Sequence, residues 1–363
     1  MKTKPMTKFA ILALSLVLVA CAGGGSEEAG CPAIDGREIN VVATTPMIGE
    51  FVSQVGGENI NLTVLMPPEA NPHTYEPAPQ DAGTIAEADL VFYTGLLYEP
   101  AALVKLLENS ACSTDILSEV GESVFPIEFK EGGHDDHDDH DDHDDHDDEE
   151  GHDDEEGHDD HDDEEGHDDE EGHDDEEGHD DHEGHNHGAY DPHFWFDPSR
   201  VAYAAEYIES RLIQFDPENE SSYISSADSF VSELNDLTKQ VSELISTVPS
   251  QNRKLITTHE SLGYLEAKFG LEVLSTIIPS LNSANEISPS DLAGVIDVIE
   301  DNNVKVIFIE SEAPSVYSET IVAETGIKPV TGLYVETLKP GQSYSEFLIS
   351  NVKLITENLQ DTD

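Results

Sequence analysis

The sequence predicts an α/β fold of two lobes, each a mainly parallel sheet flanked by helices, joined by one long rigid helix and carrying a disordered His/Asp/Glu-rich insert. Three observations carry this reading. Short aliphatic and β-branched runs alternate with longer stretches of helical spacing on both sides of residues 198–249, the pattern of a parallel sheet with covering helices. Within 198–249 one apolar stripe of Tyr223, Phe230, Leu234, Leu237, Val241 and Leu244 recurs at three- and four-residue intervals. Residues 134–187 hold no apolar residue from which a core could form.

From the amino terminus, Lys2, Lys4 and Lys8 precede an apolar run over residues 9–19. That run is too short to span a bilayer and has the length of a signal-peptide core, so residues 1–20 are expected to direct export. It ends Leu18-Val19-Ala20-Cys21, which resembles a bacterial lipobox, and the resemblance makes Cys21 the lipidated first residue of the mature chain. The other reading is an ordinary cut among the small residues 20–25. Residues 21–37, including GGGSEEAG at 23–30, are expected to form a flexible tether. Cys31 and Cys112 remain in an oxidising compartment, and the simplest arithmetic pairs them.

Strands are expected at 39–44, 60–66 and 90–94, all read as buried, with helices opening near Met47, Gln80 and Pro100. These belong to a first lobe over 38–197, interrupted at 131–189 by the insert. Asp197-Pro198 and Asp216-Pro217 each place an Asp before a Pro, a helix-opening signature. The second helix would run from Pro217 to about Val248, some 45 Å at about 1.5 Å per residue. Further strands are expected at 255–258, 272–277, 304–310 and 329–334, in a second lobe over 250–363.

Charge narrows the function. The 363 residues carry 79 Asp and Glu against 16 Lys and Arg, a net −63, so a nucleic-acid partner held by a basic face is excluded. The insert holds 33 of those acids and no Lys or Arg, which leaves a body of about −30. Three Cys are too few for a disulfide-rich scaffold or a Cys-based metal cluster, so metal chemistry must use His and carboxylates. Of 17 His, 14 lie in the insert: His134, His137, His140, His143, His146, His152, His158, His161, His167, His173, His179, His182, His185 and His187. With flanking carboxylates they read as a weak, multivalent metal collector, and the bland alternative is a solvated acidic spacer.

The other three His have distinct surroundings. His73 lies between Pro72 and Pro77, seven residues past a predicted strand; His193 stands just before a helix; His259 ends a predicted strand. Open α/β sheets place ligand sites at such strand ends. Three neutral imidazoles plus one carboxylate satisfy a four-coordinate Zn²⁺.

With Asn71-Pro72-His73-x-x-Glu76-Pro77, Asp191-Pro192-His193-x-Trp195-x-Asp197-Pro198, His259 with Gly263-Tyr264, and the His-rich insert between the first two, the chain resembles the substrate-binding lipoproteins of metal ABC importers, the zinc and manganese family often called cluster A-I, of the zinc-uptake (ZnuA-like) type. The resemblance covers nearly everything after Cys21. It implies an ion held between two α/β lobes and handed to a membrane permease powered by its ATPase, on an exported, lipid-anchored monomer at the periplasmic or outer face of a membrane. It also implies His73, His193 and His259 as metal ligands, with Glu336 at the position where the family often has Asp. Zn²⁺ is the expected cargo and Mn²⁺ (or iron) the alternative. Glu310 and Glu312, at the end of the expected strand 304–310, are the other candidate carboxylates, read as surface residues or as supports behind the ligands. Glu76, Asp191 and Glu260 are candidate acceptors for the ligands' second ring nitrogens.

Two rivals come from other classes. A catalytic zinc could use the same donors, but His259-Glu260 is not followed by a second His at the spacing of a zinc-protease helix. A surface metal buffer or cell-adhesion protein without a transporter needs only the same site.

Overall fold

The computed structural model describes residues 31, 34, 36–68, 70–129, 190–312 and 316–360. The expected signal peptide, Cys21, most of the tether and all fourteen insert histidines lie outside the described residues.

The first sheet contains β1 (Ile39–Ala43), β2 (Ile60–Val64), β3 (Leu90–Tyr93) and β4 (Leu117–Glu119), all parallel, in the order β2-β1-β3-β4. Central β1 and β3 are buried almost throughout, as their aliphatic sequences require. β2 departs from its expectation as a buried strand. It is the edge of the sheet, with Asn61, Thr63 and Val64 exposed, and its alternation of polar and apolar residues fits a half-solvated position. β4 was not anticipated because three residues, Leu117-Ser118-Glu119, are too few to show a period.

Helices α1 (Pro46–Gly56), α2 (Pro79–Ala86) and α3 (Ala101–Ser110) follow the first three strands. α1 opens on Thr45, whose hydroxyl accepts from the Ile48 N–H, with Pro46 in its first turn. α4 (Pro198–Phe215) and α5 (Glu220–Ser246) form the middle of the chain. The Asp197 side chain caps α4 through the Ser199 N–H, whereas Pro217–Asn219 makes a 3₁₀ turn and α5 begins only after it. At 27 residues α5 is the longest helix described, about 40 Å at 1.5 Å per residue. Its predicted stripe is buried, except that Ile245 replaces Leu244 among the fully buried positions.

The second half contains β5 (Lys254–His259), α6 (Gly263–Phe269), β6 (Glu272–Ile278), α7 (Pro289–Asn302), β7 (Val306–Glu310), α8 (Val316–Thr325), β8 (Lys328–Leu333) and α9 (Tyr344–Gln360). β5 pairs parallel with β6 and β7 with β8. The two ribbons meet where the Glu310 N–H donates to the Thr258 hydroxyl. A register shift at Ile309/Glu310 leaves Gly332 as an extra residue in β8. Its φ of 97° is open to glycine and strained for other residues.

One continuous apolar core runs from β1, β3 and α1 through α4 and α5 to β5, β7, β8 and α9. Phe51 links it, packing against Phe194, Phe230 and Tyr344 with ring centroids 6.2, 6.3 and 5.3 Å away. α5 therefore shares one packed interior with both halves.

Cys31 and Cys112 are joined in a disulfide that ties the start of the described chain to the end of α3. It closes a loop between residues 81 apart in sequence, so chain entropy assigns it about 4–5 kcal/mol. Reduction, or Cys112→Ser, is expected to lower the urea unfolding free energy by about that much while leaving metal stoichiometry unchanged.

Candidate metal centre

Parallel strands all deliver their carboxyl ends to the same region. His73 sits in the 3₁₀ turn Pro72–Thr74 that follows β2. Asn71 fixes that turn, its side-chain oxygen accepting from the His73 N–H at 2.9 Å, while its amide reaches across to the Ser283 hydroxyl at 3.0 Å. His193 immediately precedes the buried 3₁₀ turn Phe194–Phe196. His259 is the last residue of β5, and Glu336 lies three residues beyond β8, downstream of the Gly332 bulge.

The four side chains named from the sequence converge. One donor atom from each of His73, His193, His259 and Glu336 lies within 4.8 Å of all the others, the one such group among the described residues. Glu336 is the hub: its Oε1 is 3.1 Å from His73 Nε2 and 2.9 Å from His259 Nε2, and its Oε2 is 3.5 Å from His193 Nε2. Donors about 2 Å from a tetrahedral ion stand about 3.3 Å apart, which these contacts bracket. The side chains of His193, His259 and Glu336 are fully buried and that of His73 is 2% exposed.

Hydrogen bonding fixes which nitrogen each ring presents. Asp191 Oδ1 lies 2.8 Å from His193 Nδ1 and also accepts the His193 N–H. Glu310 Oε2 lies 2.5 Å from His259 Nδ1, and its other oxygen takes the His259 N–H and the Ser261 hydroxyl. A carboxylate only accepts, so each neutral ring carries its proton on Nδ1 and turns the Nε2 lone pair inward. In that neutral form the buried Nε2 lone pairs of His193 and His259 face the Glu336 carboxylate, another acceptor, and are left without a hydrogen bond, an arrangement whose cost a bound cation removes.

Of the acceptors considered from sequence, Asp191 fills that role and two do not. Glu76 is exposed, and Glu260 instead takes the Thr276 hydroxyl. Glu310 is buried and supports His259, so of its two readings, surface residue or support behind a ligand, the second holds. Glu312 stands behind the site, its Oε1 accepting the N–H groups of Val335 and Glu336. Burial and the Glu336 charge push its carboxyl up to about 8.

Aromatic side chains line the site and have definite contacts. Trp195 packs on His193 with centroids 5.5 Å apart and donates its indole N–H to the Val335 carbonyl at 2.8 Å. Tyr264 donates to the Asp191 carbonyl at 2.9 Å, and a Cβ on neighbouring Gly263 would come within 2.7 Å of Asp191 Oδ2. Sequence reasoning missed Tyr98, whose hydroxyl reaches Glu336 Oε2 at 2.9 Å; a lone Tyr in a loop carries no spacing signal.

Without an ion, protons balance the charge. Burial disfavours charged His193, but the Asp191 hydrogen bond and Glu336 outweigh it and push its pKa up to about 9. His259 is likewise held well above its ordinary value, Glu310 and Glu336 overcoming burial. Burial opposes ionised Glu336, yet the three imidazoles hold it well below the usual carboxylate range.

Fold and site together define a metal-binding α/β protein whose centre draws residues from both halves of the chain. The chain belongs to the family described as "Zinc-uptake complex component A periplasmic", whose model matches residues 41–358. It is 26% identical over 361 residues to the high-affinity zinc uptake system protein ZnuA of Bacillus subtilis, covering 97% of this chain and 96% of that one. It is 21% identical over 347 residues to the manganese-binding lipoprotein MntA of Halalkalibacterium halodurans, covering 95% and 94%. In structure it is similar to the periplasmic zinc-binding protein TroA of Treponema pallidum, with a TM-score of 0.68, 19% identity, and 89% of this chain and 99% of that one covered. At that identity the likeness speaks for the fold.

The site predicts a pH effect of definite sign. Raised from 6.5 to about 9, His193 stabilises the metal-free fold fully below pH 6.5 and loses that contribution as pH rises toward 9. Binding needs the neutral ring, so the gain in Tm on adding Zn²⁺ is expected to widen from pH 6.5 to 9. Calorimetry of both forms across that range checks it, and a constant or narrowing gap contradicts it.

Proposed function

We propose that the protein captures Zn²⁺ with His73, His193, His259 and Glu336 and delivers it to the membrane permease of an ABC importer driven by its ATPase. Binding and release are the whole mechanism. The observation that carries this reading is the buried set of three imidazoles and one carboxylate, with two Nε2 lone pairs that in the neutral rings have only a carboxylate to face. That donor set suits Zn²⁺ better than Mn²⁺, which favours more oxygen ligands and higher coordination. Membership of an uptake family supports transport and a binding protein, not an enzyme. Relatives named as manganese-binding lipoproteins keep Mn²⁺ as the second reading.

In this reading residues 1–20 are the export signal, Cys21 bears the lipid that holds the chain to the membrane, and residues 21–37 are the tether. Residues 38–197 and 250–363 act as the two lobes and 198–249 as the helical link. The insert histidines gather metal near the cleft. Support for a stiff link comes from the single core that α5 shares with both halves.

Titration of a variant lacking residues 134–187 is expected to show one tight Zn²⁺ per chain, preferred over Mn²⁺ and lost on changing His73, His193 and His259 to Ala. Tight binding that vanishes with the insert, or a preference for Mn²⁺, would overturn the assignment. In X-ray scattering, the same variant is expected to keep its radius of gyration on Zn²⁺ loading. A large compaction would contradict the stiff link.

A further inference from the structure

Glu336 has two oxygens, and whether one or both reach the ion decides the coordination number. Its two oxygens have different neighbours. Oε1 lies 2.9–3.1 Å from the inward nitrogens of His259 and His73. Oε2 accepts from the Tyr98 hydroxyl at 2.9 Å and stands farther, 3.5 Å, from His193 Nε2; the same hydroxyl lies 3.1 Å from the Glu336 carbonyl.

Tyr98 is held too firmly to give way readily. It is 1% exposed, and its ring meets His73, His193 and Trp195 edge-on at 5.0, 5.9 and 5.3 Å. The loop that presents it is braced. Gly95, Leu96 and Leu97 all have positive φ, 76°, 53° and 61°, a strained run for the two leucines that persists only where its surroundings impose it. Buried Glu99 imposes it, accepting from the N–H groups of Thr94 and Gly95 and from the Thr44 hydroxyl at 2.7–2.9 Å. Glu119 takes the Leu96 N–H at 2.8 Å.

We propose that Tyr98 is a specificity-determining residue that occupies Oε2 of Glu336, so that the carboxylate offers a single oxygen and the site stays four-coordinate. This rests on the zinc reading above and deepens it. For Oε2 to join the ion, it must turn away from the hydroxyl or share its charge between hydroxyl and ion inside a dry pocket, and either weakens a charge-assisted hydrogen bond at a real cost. Zn²⁺ is satisfied by four donors, whereas Mn²⁺ needs the fifth and is the ion penalised. The extra methylene of Glu336 makes such a lock useful, because a longer arm can swing either oxygen toward the ion.

The test uses the full mature chain and Tyr98→Phe, which removes the hydroxyl and keeps the ring. One equivalent of Co²⁺ is expected to give wild type the intense visible absorption of four-coordinate cobalt and the variant a much weaker band. The Zn²⁺-over-Mn²⁺ affinity ratio is expected to fall about tenfold, the loss of one buried charge-assisted hydrogen bond. Both effects should vanish in a Glu336→Gln background, where no second carboxylate oxygen exists. An unchanged spectrum and ratio in Tyr98→Phe would overturn the role. So would parallel losses of both affinities with the spectrum kept, which would make Tyr98 a brace only. If wild type shows no band that disappears in His73→Ala/His193→Ala/His259→Ala, the zinc reading falls with it.

Discussion

A fully buried carboxylate, Glu336, meets three imidazoles, and much of the molecule is arranged to make that meeting tolerable. An ionised carboxylate in a protein interior is costly unless opposite charge and hydrogen bonds surround it. Here the compensation comes from distant parts of the chain: His73 after β2, His193 before α4, His259 at the end of β5 and Tyr98 after β3. His73, His193 and Tyr98, all from the first half of the chain, reach Glu336 only because the two halves present their strand ends to each other. The site is therefore also a tertiary contact, and losing its charge balance would weaken the junction between the halves of the protein.

Carboxylates behind the rings extend the same logic. Asp191 and Glu310 orient His193 and His259, and each is itself committed to backbone or hydroxyl donors. Glycine makes the first arrangement possible, since Gly263 lets Asp191 approach the start of α6 where a side chain would intrude. Packing beneath is continuous. Phe194, Trp195 and Phe196 anchor the segment bearing His193 in the core shared by α1, α5 and α9, so the ligands stand on a rigid base.

Much of this was legible in the sequence, and for identifiable reasons. Alternating aliphatic and helical runs gave away the parallel strands because buried β1, β3 and β7 are nearly all apolar. His73, His193 and His259 stood out because every other His is in the insert. What stayed hidden depends on contacts far apart in sequence. β4 has no period to display, β2 became an edge because of sheet order, and Glu310 pairs with His259 only through the proximity of β5 and β7. Tyr98 acts on a residue 238 positions away. Local pattern cannot report such a pairing.

On the proposed function, protons and the metal ion compete for the same inward nitrogens. In the metal-free site the protonated imidazoles neutralise Glu336, as the raised pKa of His193 and the lowered one of Glu336 express. An arriving ion displaces those protons and takes over the same electrostatic role, so the donors are already gathered when it binds. Preassembly limits the rearrangement needed for capture, which agrees with a core that passes unbroken through α5. It also means that letting go cannot rely on a loose hinge. Release requires separating Glu336, carried by the segment after β8, from the imidazoles supplied by the first half, or returning protons to the rings. Either route breaks the charge balance at the junction, and so the contact that holds the ion and the contact that joins the two halves are lost together.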